Sequence, residues 1–343
     1  MKILLGLSGG VDSAYAARRL MACGHDVEGA TLVMHEHTEI ADAERAAREL
    51  GIPLHVIDCT DAFDKIVKAD FVREYLNART PNPCIICNER VKFALLYSYA
   101  MERGFDRIAT GHYARVTEIS DSTSVRYAVA RAADTRKDQS YMLYRLSQKI
   151  LSRLVLPLGD ITKEDVRRLA AEQGISAADK RDSQEICFLP DGNYAEYIES
   201  VAGICPEGDF IAPDGRFLGK HKGIIRYTVG QRKGLGISMG ERVFVTAIDP
   251  VANTVTLSPS LSGSCVVELS DAVYSGIAPR LIGSAVPLKA KLRYTAPLVE
   301  CEAELRTDGA VTLRFAEPQK AAAGQSAVLY DGDIVALGGI ING

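Results

Sequence analysis

A short glycine-rich loop between an apolar strand and a helix limits the folds open to this chain more than any other feature. Residues 3–7 form an apolar run that predicts a buried strand, residues 8–13 read SGGVDS, and residues 14–20 predict a helix. Glycines let backbone N–H groups approach an anion, and the start of the following helix adds partial positive charge. The sequence therefore predicts a phosphate site at the end of the first strand.

Two better-known phosphate motifs are missing from the sequence. The nearest stretch to the ATPase P-loop, Gly215 to Lys220, is too short and continues with His221. The dinucleotide fingerprint fails because the glycine after residues 234–236 comes one residue too late. Instead, SGGVDS resembles the signature of the PP-loop ATP pyrophosphatases at every position. That resemblance implies cleavage of ATP between its α- and β-phosphates, with AMP transferred to an oxygen.

Length and composition place the chain among ordinary globular proteins. Its 343 residues suffice for two or three domains, and 24% of them are charged while 47% are hydrophobic. No signal peptide or membrane-spanning run is recognised, so we expect a cytoplasmic protein without a membrane partner. The eight cysteines are irregularly spaced, which indicates free thiols rather than a disulfide framework.

The charge distribution says more about partners than the net charge of −4 does. Seven Lys and Arg residues lie between positions 216 and 242, against the single acid Glu241. Such a segment is either a solvated loop or a surface that positions phosphates, and we favour the second interpretation.

The order of secondary-structure patterns predicts three domains. Strand patterns at Lys2–Leu7, Val27–Val33, Leu54–Asp58 and Arg107–Thr110 alternate with helical patterns, which is typical of an α/β, doubly wound parallel sheet. A hairpin is expected within 115–130. Short alternating runs dominate after residue 205. We therefore expect a catalytic domain at 1–205, a connecting domain at 206–268 and a C-terminal β-barrel at 269–343.

Cysteine provides the second strong signal. The segment TPNPCIICN at 80–88 carries Cys84 and Cys87, and its two prolines predict a stiff loop that presents a thiol at a defined position. A further thiol, Cys187, lies 100 residues beyond Cys87 in the segment RDSQEICF.

Seven segments together are similar to the tRNA-specific 2-thiouridylases, in that family's order and over nearly the whole chain. They are SGGVDS, TPNPxxxCN, ATGHYAR, KDQSYML, RDSQEICF, IRYTVGQRKGLGI and GQSAVLYDGDIVALGG. The resemblance implies an ATP-dependent exchange of oxygen for sulfur at C2 of the wobble uridine of tRNA. The C2 oxygen would first be adenylated, because AMP is a far better leaving group.

The resemblance also assigns the sulfur chemistry. It makes Cys187 the carrier of a persulfide and Cys87 the second catalytic cysteine, which would attack that persulfide and leave a Cys87–Cys187 disulfide. A cysteine desulfurase or a persulfide carrier protein would supply the sulfur. Thiolates are the reactive form, and Lys180 or Arg181 could provide the positive charge that lowers a thiol pKa.

One position departs from the family pattern, because better-known members carry Asp where this chain has Cys84. Cys84, Cys87 and Cys187 could therefore hold an iron–sulfur cluster that carries sulfide. A zinc site is another reading, although its fourth ligand is not identified. Alternatively, Cys84 packs beside the nucleophile without a role in the chemistry.

The remaining site residues follow from the same motifs. ATP is expected against Gly6, Leu7, Ser8, Gly9, Gly10, Val11, Asp12, Ser13, Leu32 and Gly111. Asp12 is a candidate ligand of Mg²⁺, which prefers oxygen donors. The target base is expected beside Asn82, Pro83 and Cys84. Contacts with the tRNA anticodon stem-loop are expected from His112, Lys137, Asp138, Gln139, Arg293, Tyr294 and Gln325.

Two other functions compete with this one. Another PP-loop adenylating enzyme, such as an amidating synthetase, would use the same loop but would not need Cys87 and Cys187. A catalytically silent tRNA-binding protein would not need an intact SGGVDS. For single residues, His112 could be a structural loop residue and Tyr294 could belong to the barrel core.

Overall fold

A five-stranded parallel sheet forms the centre of the amino-terminal part in the computed structural model, which describes residues 1–36, 38–120, 125–179, 186–189, 191–237, 240–277 and 282–342. The strands of residues 1–205 are β1 (Lys2–Gly6), β2 (Asp26–Val33), β3 (Leu54–Asp58), β4 (Arg107–Thr110), β5 (Arg115–Ser120), β6 (Val125–Ala130) and β7 (Leu154–Val155). The sheet has the order β3-β2-β1-β4-β7. The doubly wound arrangement is thereby confirmed.

Helices connect these strands. They are α1 (Val11–Ala22), α2 (Ile40–Leu50), α3 (Thr60–Phe63), α4 (Ala69–Leu76), α5 (Pro83–Cys87), α6 (Phe93–Glu102), α7 (Gln148–Leu151), α8 (Lys163–Glu172) and α9 (Tyr194–Ala202). A π-helical turn (Asp64–Lys68) joins α3 to α4, and a second one (Asn88–Lys92) joins α5 to α6. No described helix is long and apolar enough to cross a bilayer.

The apolar run of β1 is buried because both faces of the sheet are covered. Successive side chains of a strand point to opposite faces. Accordingly, Ile3 and Leu5 pack in the cluster that contains residues of α1 and α8, whereas Leu4 packs with residues of α6. The central position of β1 places its carboxyl end, and the loop after it, at the edge where a ligand is expected.

The second half of the chain is β structure, as predicted. Its strands are β8 (Gly208–Ile211), β9 (Phe217–His221), β10 (Phe244–Asp249), β11 (Thr254–Ser258), β12 (Ser264–Tyr274), β13 (Ala285–Lys291), β14 (Val299–Leu305), β15 (Val311–Gln319), β16 (Ser326–Asp331) and β17 (Ile334–Ile341). Strands β8–β11 form one sheet in the order β10-β11-β8-β9. The others form a barrel in the order β12-β15-β14-β13-β16-β17, which the pairing of β12 with β17 closes.

The barrel is joined to the amino-terminal part through a hairpin. β5 and β6 pair as predicted, and Ala130 of β6 also pairs with Ile334 of β17. Strand β12 begins at Ser264, so the barrel sheet includes residues on both sides of the expected boundary at 268/269. The hairpin therefore extends the barrel sheet toward the parallel sheet.

Candidate active site

The glycine-rich loop is folded by one serine. Ser13, in the first turn of α1, donates its Oγ hydrogen to the Gly10 carbonyl at 3.0 Å and accepts the Ser8 N–H at 3.2 Å. Gly10 precedes α1, and no side chain of the described residues caps that helix. The first N–H groups of α1 are therefore available to an anion at the carboxyl end of β1.

Two glycines are required by close approaches around this loop. Gly9 has φ of +75°, and a Cβ placed there would lie 2.4 Å from the backbone of Asp42 in α2. A Cβ on Gly111, after β4, would lie 2.9 Å from the backbone of Asp12 and Ser13. The end of β4 therefore abuts the loop. Leu32 lies in β2, two residues after Ala30, which pairs with Gly6 of β1. It is half-buried at the same edge of the sheet.

The Asp12 carboxylate is shared between two side chains that the sequence analysis missed. Lys163 Nζ lies 2.8 Å from Oδ1 and 2.7 Å from Oδ2, and the Tyr113 hydroxyl donates to Oδ1 at 2.7 Å. Lys163 begins α8 after the capping residue Thr162. A lysine in a first helical turn opposes the helix dipole, which is the one sequence signal that could have marked it.

The two cysteines of the TPNPCIICN segment lie on a helix rather than on the stiff loop that we expected. Pro83 occupies the first helical position of α5, and Asn82 precedes it as the N-cap residue. Proline is favoured there because its missing N–H would be unpaired in any case. Cys84 and Cys87 are thus one helical turn apart, and the π turn begins directly after Cys87.

The three site cysteines lie close enough to interact electrostatically. Cys84 and Cys187 reach solvent, whereas Cys87 is buried and its thiol donates to Met34 Sδ at 3.7 Å. Loss of hydration raises the pKa of Cys187 to about 11, and the charges of Cys84 and Cys87 add to that increase. Burial raises the pKa of Cys84 and of Cys87 as well. All three are therefore thiols near neutral pH.

The direction of these pKa shifts differs from our expectation of a lowered thiol pKa. A positive charge is present at Lys92, which lowers the pKa of all three thiols, but loss of hydration is the larger effect. The predicted cations Lys180 and Arg181 lie outside the described residues. A fourth thiol, Cys59, is buried beside Cys87, and nothing in its sequence context indicated that position.

The thiols do not form a ready metal site. Among the described residues, which include Cys84, Cys87 and Cys187, no three or more His, Cys, Asp or Glu side chains are arranged to hold a metal ion. The iron–sulfur and zinc alternatives therefore stay predictions. The Asp12 carboxylate is about a third exposed and is the kind of oxygen donor that Mg²⁺ takes together with phosphates.

His112 lies between the glycine-rich loop and α6. It follows Gly111, its Nδ1 lies 2.8 Å from Thr110 Oγ1, and its ring packs against Phe93 at 5.4 Å. Burial and the Lys92 charge lower the pKa of His112 to about 3, so the imidazole is neutral at pH 7. A neutral ring can donate or accept a hydrogen bond but cannot offer charge to a phosphate.

The expected tRNA contact Asp138 is a buried residue that organises its own segment. Its carboxylate accepts the N–H groups of Ala132 at 3.0 Å and Ser140 at 3.2 Å. Gln139 Oε1 accepts the Tyr113 N–H at 2.8 Å. Lys137 is partly exposed. Of these three expected contacts, Lys137 is therefore the one that carries a charge at the surface.

The barrel residues that were expected to contact tRNA also differ in environment: two are hydrogen-bonded within the protein and one is exposed. Gln325 Nε2 donates to the Thr80 carbonyl at 2.8 Å, and the Thr80 N–H donates to the Ala323 carbonyl at 2.9 Å. The barrel thus holds the start of the cysteine-bearing segment. The Tyr294 hydroxyl donates to the Asp138 carbonyl at 3.3 Å, whereas Arg293 is exposed.

The basic segment is partly paired within the protein. Arg226 forms an ion pair with Glu199 at 2.6 Å, and Lys220 with Asp209. Arg232, Lys233 and Arg242 are exposed. Arg216 and Lys222 are exposed as well, so exposed positive charge extends along the whole segment 216–242.

Three sequence families match consecutive parts of the chain. Residues 1–191 match the family described as the tRNA methyl transferase HUP domain, residues 196–259 the tRNA methyl transferase PRC-barrel domain, and residues 266–341 the aminomethyltransferase beta-barrel domain.

Full-length relatives carry a more specific name. The tRNA-specific 2-thiouridylase MnmA of Treponema denticola is 42% identical over 358 residues, which cover 99% of this chain and 98% of the relative. The protein of the same name from Acetivibrio thermocellus is 42% identical and covers 99% of both chains. Among solved structures, the NMN synthetase of Francisella tularensis is 18% identical, with a TM-score of 0.34 over 59% of this chain and 76% of its own.

Proposed function

Because the chain belongs to the family of tRNA-specific 2-thiouridylases, we propose that it replaces the C2 oxygen of the wobble uridine of tRNA with sulfur at the expense of ATP. Its class is that of a sulfurtransferase acting on tRNA. We expect it to work in the cytoplasm, where tRNA and ATP are present.

The proposal rests on the closeness of the glycine-rich loop to the three site cysteines. Gly111 abuts the backbone of Asp12, His112 follows it, and the Lys92 charge reaches both His112 and the thiols of the site. Adenylation and sulfur transfer can therefore act on one base without its leaving the site. Such continuity matters because an adenylated uridine would hydrolyse in water.

In the first step, the uracil O2 would attack the α-phosphorus of ATP and pyrophosphate would leave. Residues 6–13 would hold the phosphates through backbone N–H groups and the start of α1, with Leu32 and Gly111 beside the nucleoside. Lys163 is placed to balance phosphate charge if Asp12 turns toward a cation. Mg²⁺, when held by Asp12 and the phosphates, would neutralise the leaving pyrophosphate.

In the second step, sulfur would arrive as a persulfide on Cys187, from a cysteine desulfurase or a persulfide carrier. The Cys87 thiolate would attack the Cys187 sulfur that is bonded to Cβ. A Cys87–Cys187 disulfide would form and hydrosulfide would leave. Hydrosulfide would then attack C2 and expel AMP. An external thiol reductant would have to restore both thiols for the next turnover.

The raised thiol pKa values suit this division of steps. Neutral thiols do not react while the base is being adenylated, and solvent-exposed Cys187 can meet a donor protein. We propose that Asn82, Pro83 and Cys84 border the flipped base. Arg293 and Lys137 would contact tRNA directly. Gln325 and Asp138 would act mainly by holding the segments around the base.

The test measures 2-thiouridine by nucleoside mass spectrometry. Unmodified tRNA is incubated with anaerobically purified protein, Mg-ATP and a cysteine desulfurase that generates persulfide. We expect thiouridine to form with ATP and to vanish in Cys187→Ser, which should still release pyrophosphate. Cys265→Ser, at an exposed cysteine of the barrel, is the matched control. Thiolation retained in Cys187→Ser would refute the persulfide route.

The same assay separates the alternatives. Activity that follows bound iron rather than persulfide supply would favour an iron–sulfur route. Pyrophosphate release without tRNA would indicate an amidating synthetase, and no release at all would indicate a binding protein. Asp12→Ala should abolish pyrophosphate release while tRNA binding is retained. If tRNA binding were lost as well, the assignment of Asp12 to the nucleotide would be wrong.

A further inference from the structure

A half-buried lysine, for which the described residues offer no counter-ion, follows the cysteine-bearing helix α5. Lys92 ends the π turn that follows Cys87, and a π turn places residues five apart over one another. Its backbone N–H lowers the pKa of the Cys87 thiol. Its side chain is partly buried, and no hydrogen bond or ion pair to its ammonium is found among the described residues.

The groups around Lys92 come from three separate parts of the chain. Its charge acts on Cys84 and Cys87 of α5, on Cys187 of the segment 186–189, and on His112 after β4. None of these groups is negatively charged near neutral pH. A cation that is partly removed from water without an anion is unfavourable, so the fold retains a charge with which no described side chain forms an ion pair.

We infer that the Lys92 ammonium holds the sulfur anions of the reaction, as the charge-stabilising residue of sulfur transfer. The inference rests on the proposed function. In that sequence a negative charge forms on Cys87 when its thiol gives up a proton to water for the attack. The charge lies on hydrosulfide after the Cys87–Cys187 disulfide has formed. A fixed cation close to both sulfur positions would hold the released sulfide beside C2 of the uracil, so that it is not lost to solvent.

The local potential at the thiols can be measured without any turnover. Iodoacetate and iodoacetamide are similar in size, but iodoacetate is negatively charged, so their rate ratio at one cysteine reports nearby charge and cancels accessibility. We would measure this ratio at Cys84 and Cys187 of the full-length protein by peptide mass spectrometry. In Lys92→Met we expect the ratio to fall by about three- to tenfold, as expected for one unit charge at short range. Lys92→Arg should retain it.

Lys2→Met is the matched control, because Lys2 is also partly buried but lies at the amino end of β1, on the opposite edge of the sheet. An unchanged ratio in a folded Lys92→Met protein, shown by circular dichroism, would overturn the inference. Lys92→Gln serves if the methionine variant does not fold. The ratio needs neither ATP nor tRNA, so absence of thiouridine formation in the unmodified enzyme would refute the proposed function and leave this result standing.

A second readout connects Lys92 to the reaction. With persulfide loaded on Cys187, sulfide released into solvent should increase relative to thiouridine formed in Lys92→Met, and Lys92→Arg should restore the balance. An unchanged ratio of the two products would show that Lys92 does not hold the sulfide.

Discussion

Lys163 Nζ contacts both oxygens of the Asp12 carboxylate, at 2.8 Å and 2.7 Å, across 151 residues of sequence. The pair joins the first turn of α1, where the glycine-rich loop ends, to the first turn of α8. Its members differ in environment, since the Lys163 side chain is 8% exposed and that of Asp12 is 31% exposed. The pair therefore has a structural role beside any role in binding phosphate.

Because the two side chains differ in burial, removing one should lower the free energy of unfolding more than removing the other. Asp12→Ala would remove the carboxylate that the largely buried Lys163 ammonium contacts through both oxygens, and we expect it to lower the free energy of unfolding by about 2–4 kcal/mol. Lys163→Met leaves a carboxylate that still accepts the Tyr113 hydroxyl and reaches water, so about 1 kcal/mol or less is expected. Urea unfolding of both variants measures this. Equal losses would contradict the role assigned to burial.

The two glycines of the loop should differ sharply in their tolerance of a side chain. Gly9→Ala combines a left-handed φ with a Cβ clash against α2, and we expect a loss of at least about 2 kcal/mol in the free energy of unfolding. Gly10 has φ of −84° and its nearest neighbour would lie 3.6 Å from a Cβ. Gly10→Ala should change stability by less than about 0.5 kcal/mol. Thermal or urea unfolding that ranks them the other way would show the loop geometry to be wrong.

Gln325 should act on the site through Thr80. Gln325→Ala removes the bond to the Thr80 carbonyl, and we expect faster hydrogen exchange in the peptide that contains residues 80–88, with a stability loss of about 1 kcal/mol. Hydrogen-exchange mass spectrometry measures the first effect. Gln173→Ala, at an exposed position after α8, is the control. Exchange unchanged from the parent protein would mean that Gln325 does not hold this segment.

His112 should make the protein sensitive to acid. Its pKa of about 3 lies below the ordinary value of 6.5, so between these pH values the unfolded chain binds the proton more tightly. The stability that the neutral His112 contributes is fully present above about pH 6.5 and is lost as the pH falls toward 3. We expect protonation of His112 to lower the free energy of unfolding by about 2 kcal/mol between pH 7 and pH 4.5.

His112→Asn cannot titrate and should reduce that loss of stability. Unfolding free energies of both proteins at pH 7 and 4.5 provide the measurement. An identical pH dependence would show that His112 is protonated without penalty in the folded state.

Local signals in the sequence located the loop between β1 and α1 and most of the parallel sheet. Residues 54–58 and 107–110 form strands at the predicted bounds, since their apolar runs are short and are ended by nearby turn signals. The start of the cysteine helix was misplaced. The two prolines favoured an extended loop, although Pro83 at a first helical position is equally compatible with the start of a helix.

By itself, the sequence determined the features that depend on a few neighbouring residues: the glycine-rich loop between a strand and a helix, and the alternation of strands and helices. The roles of Cys87 and Cys187 stay predictions. Tertiary structure alone decided that β12 closes the barrel on β17, that Lys163 pairs with Asp12, and that Lys92 lies among the thiols. It also decided the direction of the thiol pKa shifts. Hydration and the net electrostatic field depend on everything packed around a group, and packing brings together residues that no sequence spacing connects.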